Sequence, residues 1–240
     1  MDPALESLLK TERSLWRGRD QYYTRKTLSS GYAALDQHLP AGGWSLGVLT
    51  ELLVEHQGIG EFSLLLPALS KITTAQQWAA LINPPYVPYA PALINAGLDL
   101  DYLLIVDTGN NKDTLWSAEQ LLRSGTFQGV ILWLDPGKDN QQTNRLRRLQ
   151  LAAEQTGVWA VAYQHDCMAS RHSPAALRIR LQPASANKQS SVKPAAGLSL
   201  ELIKVRGGTT GHLVIPAPDF DSLQGIEWPG HPVQMDVQPD

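Results

Sequence analysis

SSGYAALDQHLPAGGWSLGVLTELLVEHQGIGEFSLLLPALS, residues 29–70, reads as a strand, a glycine-containing turn and a helix, the layout of a loop that grips phosphate. Val48 to Val54 is an apolar run with Thr50 and Glu51 inside it, short enough for a buried strand. Phe62 to Leu69 is a second apolar run, suited to a helix against a sheet. Between them stands HQGIGE, with Gly58 and Gly60. A working loop follows G-x-x-x-x-G-K-[ST]: glycines let backbone amides close around phosphate, the lysine neutralises it and the hydroxyl holds magnesium. With Gly60 as the second glycine, the first falls on Glu55, the lysine on Glu61 and the hydroxyl on Phe62. A carboxylate at the lysine position meets a triphosphate with like charge, and a phenyl ring cannot ligate magnesium. Taking Gly58 instead puts Leu53 and Ile59 in the key places, which is no better. The stretch keeps the architecture of a nucleotide site without its chemistry, and Gly58, Gly60, Glu61 and Ser63 are its degenerate phosphate loop.

Composition bounds the rest. The 240 residues suffice for one substantial core with small appendages. With 43% hydrophobic and 18% charged residues the chain fits a soluble globular protein, and no apolar run approaches the ~20 residues of a membrane span. The opening MDPALESLLKTER lacks a basic start followed by an apolar segment, so no secretory signal is read there and a cytoplasmic location is expected. One cysteine, Cys167, excludes an internal disulfide framework. A net charge of −3 is no global nucleic-acid footprint, so any contact with DNA requires a local basic patch.

Outward from the loop, residues 1–28 form an N-terminal helix in which Leu5, Leu8, Leu9, Leu15 and Trp16 stand at helical spacing, either packed on its own domain or a docking arm for a neighbouring protein. Downstream, a strand is expected around Trp78 to Ile82. The proline-rich NPPYVPYAPAL is an irregular stretch before a short helix. Leu98 to Asp107 reads as a buried strand, and Asp113 to Arg123 as a helix with Leu115, Ala118, Leu121 and Leu122 on one stripe, capped by Asn111 or Asp113. Gly129 to Asp135 is an apolar strand ending in a carboxylate. Residues 141–156 form a helix with Leu146, Leu149 and Ala153 inward and Arg145, Arg147 and Arg148 as the densest basic cluster, either a solvated face or a contact for DNA phosphate or an acidic partner. Val158 to Gln164 is the next strand. His165, Cys167 and His172 in HDCMASRH lack the ligand set of a metal site and the context of a catalytic pair. Leu177 to Leu181 alternates apolar residues with Arg178 and Arg180, and Leu198 to Val205 with HLVIP completes a hairpin. Arg178, Arg180, Lys204 and Arg206 could line one solvent-facing sheet surface. The segment with Lys188 and Lys193 is a polar, low-complexity loop, and residues 216–240 are a proline-rich, acidic tail expected to be disordered alone. The strand and helix alternation up to Gln164, with three further strands as an antiparallel edge, makes an α/β domain over residues 29–215.

SGYAALDQHLPAGGWSLGVLTEL resembles the lead-in of RecA to its phosphate loop, and DTGNNKDTLWSAEQLLRSGTFQGVILWLD resembles the helix leading to RecA's second nucleotide motif, with Asp135 in the place of its terminal aspartate. With the degraded loop and GEFSLLLPAL, the chain looks like the ImuA family, and it is similar to SulA around SLLLPAL and GVILWL. The resemblance implies a RecA-like fold from about Ser29 to Gly211. It places Pro85 where RecA has its water-activating glutamate, and Gln164 at a nucleotide-sensing glutamine. No cofactor, no metal and no catalytic residue are then expected. The implied role is a non-enzymatic adaptor in SOS mutagenesis with an ImuB-like inactive Y-family polymerase homologue, with RecA and DNA as further candidate partners. The alternative is a SulA-like division inhibitor acting on FtsZ.

Overall fold

The computed structural model describes residues 26–136, 142–184 and 197–216. Most of the N-terminal arm, the loop carrying Lys188 and Lys193, and the proline-rich tail lie outside the described residues. A two-stranded ribbon opens the chain: β1 (Thr27–Leu28) pairs antiparallel with β2 (Trp44–Ser45), with the short α1 (Ala33–Asp36) and a 3-10 turn at Pro40–Gly42 between them. Then follow β3 (Leu49–Val54), α2 (Leu66–Thr74), β4 (Trp78–Ile82), α3 (Ala90–Asn95), β5 (Leu103–Val106), α4 (Asn111–Ser124), β6 (Phe127–Trp133), α5 (Gln142–Thr156), β7 (Trp159–His165), β8 (Leu177–Pro183), β9 (Gly197–Val205) and β10 (Gly211–Pro216).

The eight long strands form one sheet in the order β10-β9-β8-β3-β7-β6-β4-β5. The six from β8 to β5 are parallel, and β9 and β10 close one side antiparallel. Helices cover both faces, which is why β3, with a core on each side, is buried along its whole length. On one face α2 and the ribbon bury Leu64, Leu69, Trp44, Trp159 and Tyr163. On the other, α4 and α5 bury Leu115, Leu122, Leu146 and Leu149 against Leu49, Val130 and Leu132. Among the described residues no helix is long and apolar enough to cross a membrane.

Four expectations are corrected. The apolar run from Phe62 begins as a 3-10 turn, Glu61–Leu64, and becomes α-helical only at Leu66. Gly60 is left-handed at φ 87°, and Pro67 has no N–H to give and so belongs in the helix's first turn. Leu98 to Asp107 is not one buried strand: Leu100–Tyr102 is a 3-10 turn, and β5 is a four-residue edge with Ile105 nearly half exposed, because only β4 flanks it. The strand from Leu177 pairs parallel with β3, so only two strands, not three, make the antiparallel edge. The cap of α4 is Asn110, whose side chain accepts the Asp113 N–H at 3.0 Å, rather than Asn111 or Asp113.

Candidate functional site

In an open α/β sheet, ligands bind beyond the carboxyl ends of the strands. Here those ends are Val54, Trp133 and His165, on strands β3, β6 and β7, and the glycine-containing loop leaves β3 at this rim. Gly58 and Gly60 both have φ 87°, a left-handed conformation that glycine adopts without strain. The turn they make folds Glu61 back beneath the loop. The Glu61 side chain is buried, and the Gly58 N–H donates to both of its carboxylate oxygens at 3.1 Å. The backbone amide that such a loop offers to phosphate is thus taken by the loop's own carboxylate. Further bonds hold the turn: Ser63 Oγ donates to the Gly60 carbonyl at 2.5 Å, Tyr32 Oη to the Ser63 carbonyl at 3.1 Å, and Tyr163 Oη to the Glu61 carbonyl at 2.9 Å. Burial, and then the Glu61 charge, push the Tyr163 hydroxyl well above the usual phenol range, which keeps it a neutral donor.

Aromatic rings fill the floor. Phe62 lies against Trp133 with centroids 5.7 Å apart, and Trp133 stacks on Tyr163 at 5.0 Å with planes 9° apart. The residues present do not fit a magnesium nucleotide. A carboxylate occupies the loop amide, a ring stands at the hydroxyl position, and Pro85 offers no acid or base. Asp135 is exposed just past β6, and Asn111 brackets its backbone: its side chain donates to the Asp135 carbonyl and accepts the Asp135 N–H, both at 2.9 Å. Sequence reasoning gave Asn111 a capping role and missed this one. Asp135, Glu55, His56, Tyr86, Gln164 and His165 line a cleft of about 350 Å³ at this rim.

The basic candidates divide. On α5, Arg147 is exposed, Arg145 is half-buried, and Arg148 reaches across to α4, its guanidinium 2.6 Å from Glu119. Arg123 approaches the same carboxylate at 3.0 Å. Glu119 is nearly buried, so Arg148 ties two helices together. The supposed cationic sheet surface does not form. Arg178 is 5% exposed and pairs at 2.6 Å with Glu51, which is fully buried in β3. Its guanidinium also donates to the carbonyls of Met168, Ala169 and Arg171, pinning the loop between β7 and β8. Ser173 Oγ donates to the other Glu51 oxygen, and Lys204 Nζ to the Ser173 carbonyl at 2.9 Å. Burial, and then Arg206, lower the Lys204 pKa. Arg180 bridges Asp166 at 2.7 Å and Glu201 at 2.6 Å, bonds that raise its pKa. Arg206 is exposed. Alternation in LRIRL put both arginines on one face, as found, but β8 runs beside β3 and brings Glu51 opposite Arg178. A lone acid inside an apolar strand was the available signal. His165 Nδ1 accepts the Cys167 N–H at 3.1 Å, and among the described residues no three His, Cys, Asp or Glu side chains cluster as a metal set.

With this geometry in view, the chain is similar to two groups of proteins. Residues 47–158, from the lead into β3 to the end of α5, match the family model of the cell division inhibitor SulA. The RecA proteins of Listeria welshimeri, Listeria monocytogenes and Listeria ivanovii are 28% identical over 106 residues, covering 44% of this chain and 30% of each relative. The match thus spans less than a third of those relatives. In fold and over these stretches the chain is similar to proteins of RecA and SulA type.

Proposed function

We propose that this chain is a non-hydrolysing, RecA-like accessory protein of SOS-induced mutagenic translesion synthesis, an adaptor for an ImuB-like inactive Y-family polymerase homologue and an error-prone polymerase. The observation that carries the reading is the loop closed by Glu61. Catalysis of phosphoryl transfer rests on positioning, metal clamping and charge neutralisation, and the lysine, the hydroxyl and the activating glutamate are all replaced here. A RecA-like domain without that chemistry is left with its surfaces. The RecA-like lead-in SGYAALDQHLPAGGW and the C-terminal hairpin of β9 and β10 favour the longer, ImuA-like form. RecA itself is the second proposed partner, and exposed Arg147 and Arg206 are the proposed contacts for DNA or an acidic partner.

The match to SulA over residues 47–158 favours a second reading, an SOS inhibitor of the division protein FtsZ. One strain separates the two. A deletion strain, its parent and a complemented strain are compared for ultraviolet-induced mutation frequency and for cell length after damage. Loss of induced mutations, restored on complementation, is expected. An unchanged frequency refutes the adaptor reading, and loss of damage-induced filamentation in the same strain establishes the inhibitor.

A further inference from the structure

A groove of about 670 Å³ runs between α2 and α3, beside the closed loop, walled by Tyr32, Phe62, Leu66, Pro67, Tyr89 and Leu93. It is largely apolar, and Lys71, on the exposed side of α2, is the one charged side chain lining it. Its α3 side is open: Tyr89, the residue that caps α3, is 66% exposed. Its concave, apolar lining with a polar rim is the form of a binding groove.

We propose that the chain's own residues 4–16 occupy this groove within the same molecule, with Glu12 against Lys71. Three observations on this chain point to that occupant. On a helix turning about 100° per residue, Leu5, Leu8, Leu9, Leu15 and Trp16 fall within an arc of about 120°. That arc contains a single charge, Glu12, while Glu6, Lys10 and Arg13 fall outside it. An apolar stripe with one anion therefore faces an apolar groove with one cation, a pairing worth more in a partly desolvated groove than in water. The connection also fits. The Lys26 carbonyl accepts the Leu46 N–H at 2.9 Å, fixing where the arm joins the fold, and Tyr32 shortly after it already lines the groove. Residues 17–25 extend up to about 30 Å, and residues 4–16 as a helix measure about 20 Å, so the arm reaches its own groove without strain.

The test is amide hydrogen exchange on the full chain, for the native sequence, Glu12→Lys, Lys71→Glu and the double exchange Glu12→Lys/Lys71→Glu. Amides of residues 4–16 and 90–95 are expected to exchange about tenfold faster in each single variant and to return toward native protection in the double. Amides of β3 and β6 serve as the fold control and stay unchanged throughout. Native-like protection in both single variants overturns the proposal, as does a double variant no better protected than either single. Protection that deepens with protein concentration assigns the groove to a second copy, and protection absent until another protein is added assigns it to a partner; each of these also overturns it.

Discussion

Replacing Arg178 by methionine keeps the volume of the side chain and removes its charge. Glu51, fully buried in the middle of β3, then loses the counter-charge held at 2.6 Å. Breaking one side of a buried pair costs about 3–5 kcal/mol, since the remaining ion stays desolvated and unpaired. Ser173 still donates to Glu51, which moderates the loss, while the carbonyls of Met168, Ala169 and Arg171 lose a donor worth about 1 kcal/mol each where water does not replace it. With the Ser173 bond cutting the first loss to about 2 kcal/mol, and water replacing the donor at one of the three carbonyls, the sum is about 4 kcal/mol, a large share of the 5–15 kcal/mol that hold a typical domain together. In urea, with a slope of about 2 kcal/mol per molar, the midpoint falls by about 2 M. The double replacement Glu51→Leu with Arg178→Met removes both charges and is expected to recover roughly 2 kcal/mol of that loss, the rest staying with the loop carbonyls. Equilibrium unfolding followed by circular dichroism and tryptophan fluorescence reads both variants. A single variant within about 1 kcal/mol of the native protein refutes the reasoning, as does a double variant no more stable than the single. An Arg178 that served DNA instead would leave stability intact and reduce binding alone.

Three further outcomes follow from the same geometry. Gly31→Ala is expected to cost about 3 kcal/mol by thermal unfolding: φ is +85°, and a Cβ would lie 2.4 Å from that of Pro67 on α2; a loss under about 0.5 kcal/mol would show the contact to be slack. Tyr163→Phe removes the bond to the Glu61 carbonyl and is expected to cost about 1 kcal/mol near pH 8. Because the folded pKa of Tyr163 is raised, its contribution is complete below the unfolded phenol value near 10 and is lost as pH rises beyond it, so the variant's stability should fall less steeply above pH 10. Lys204, with a lowered pKa, acts in the opposite sense but is the same in both proteins and cancels in the comparison. Glu61→Lys restores the lysine of the motif, yet phosphate release from magnesium ATP should stay at background, because Phe62 supplies no oxygen and Pro85 no carboxylate. The same variant should lose about 2 kcal/mol with the charged bonds to Gly58, and magnesium-dependent turnover above background would sink the closed-loop account.

The parts of this fold that could be read from sequence are those where one local rule decides. Val48 to Val54 is wholly apolar apart from Thr50 and Glu51 and became β3, and the stripe of Leu115, Ala118 and Leu122 faces inward on α4. The reading of the loop as degenerate rests on sequence alone, on Glu61 and Phe62 standing where a motif demands lysine and hydroxyl. What was not legible depended on which strands meet. The partner of Glu51 lies 127 residues away and becomes visible only when β8 settles parallel to β3. The edge position of β5 shortened a strand whose sequence reads as buried. That Glu61 turns inward to accept the Gly58 amide, rather than outward to repel phosphate, follows from the left-handed Gly60 and the Tyr163 hydroxyl beneath it.

A nucleotide switch requires two conformations that bind the nucleotide with different affinity, so that binding and hydrolysis move a population between them. The loop here carries its own anion for the amide that a phosphate would take, since Glu61 is three residues from the amide it occupies. Beneath it, Phe62, Trp133 and Tyr163 are packed ring on ring, and packed cores shift between discrete arrangements rather than deforming gradually. On the proposed reading, the rim that a hydrolysing relative would use to change shape is held in one state, and the surfaces around it are presented unchanged to a partner. Control of such an adaptor then passes from nucleotide to whatever covers or uncovers its surfaces. If residues 4–16 occupy the apolar groove beside the closed loop, as proposed above, that control is built into the chain itself.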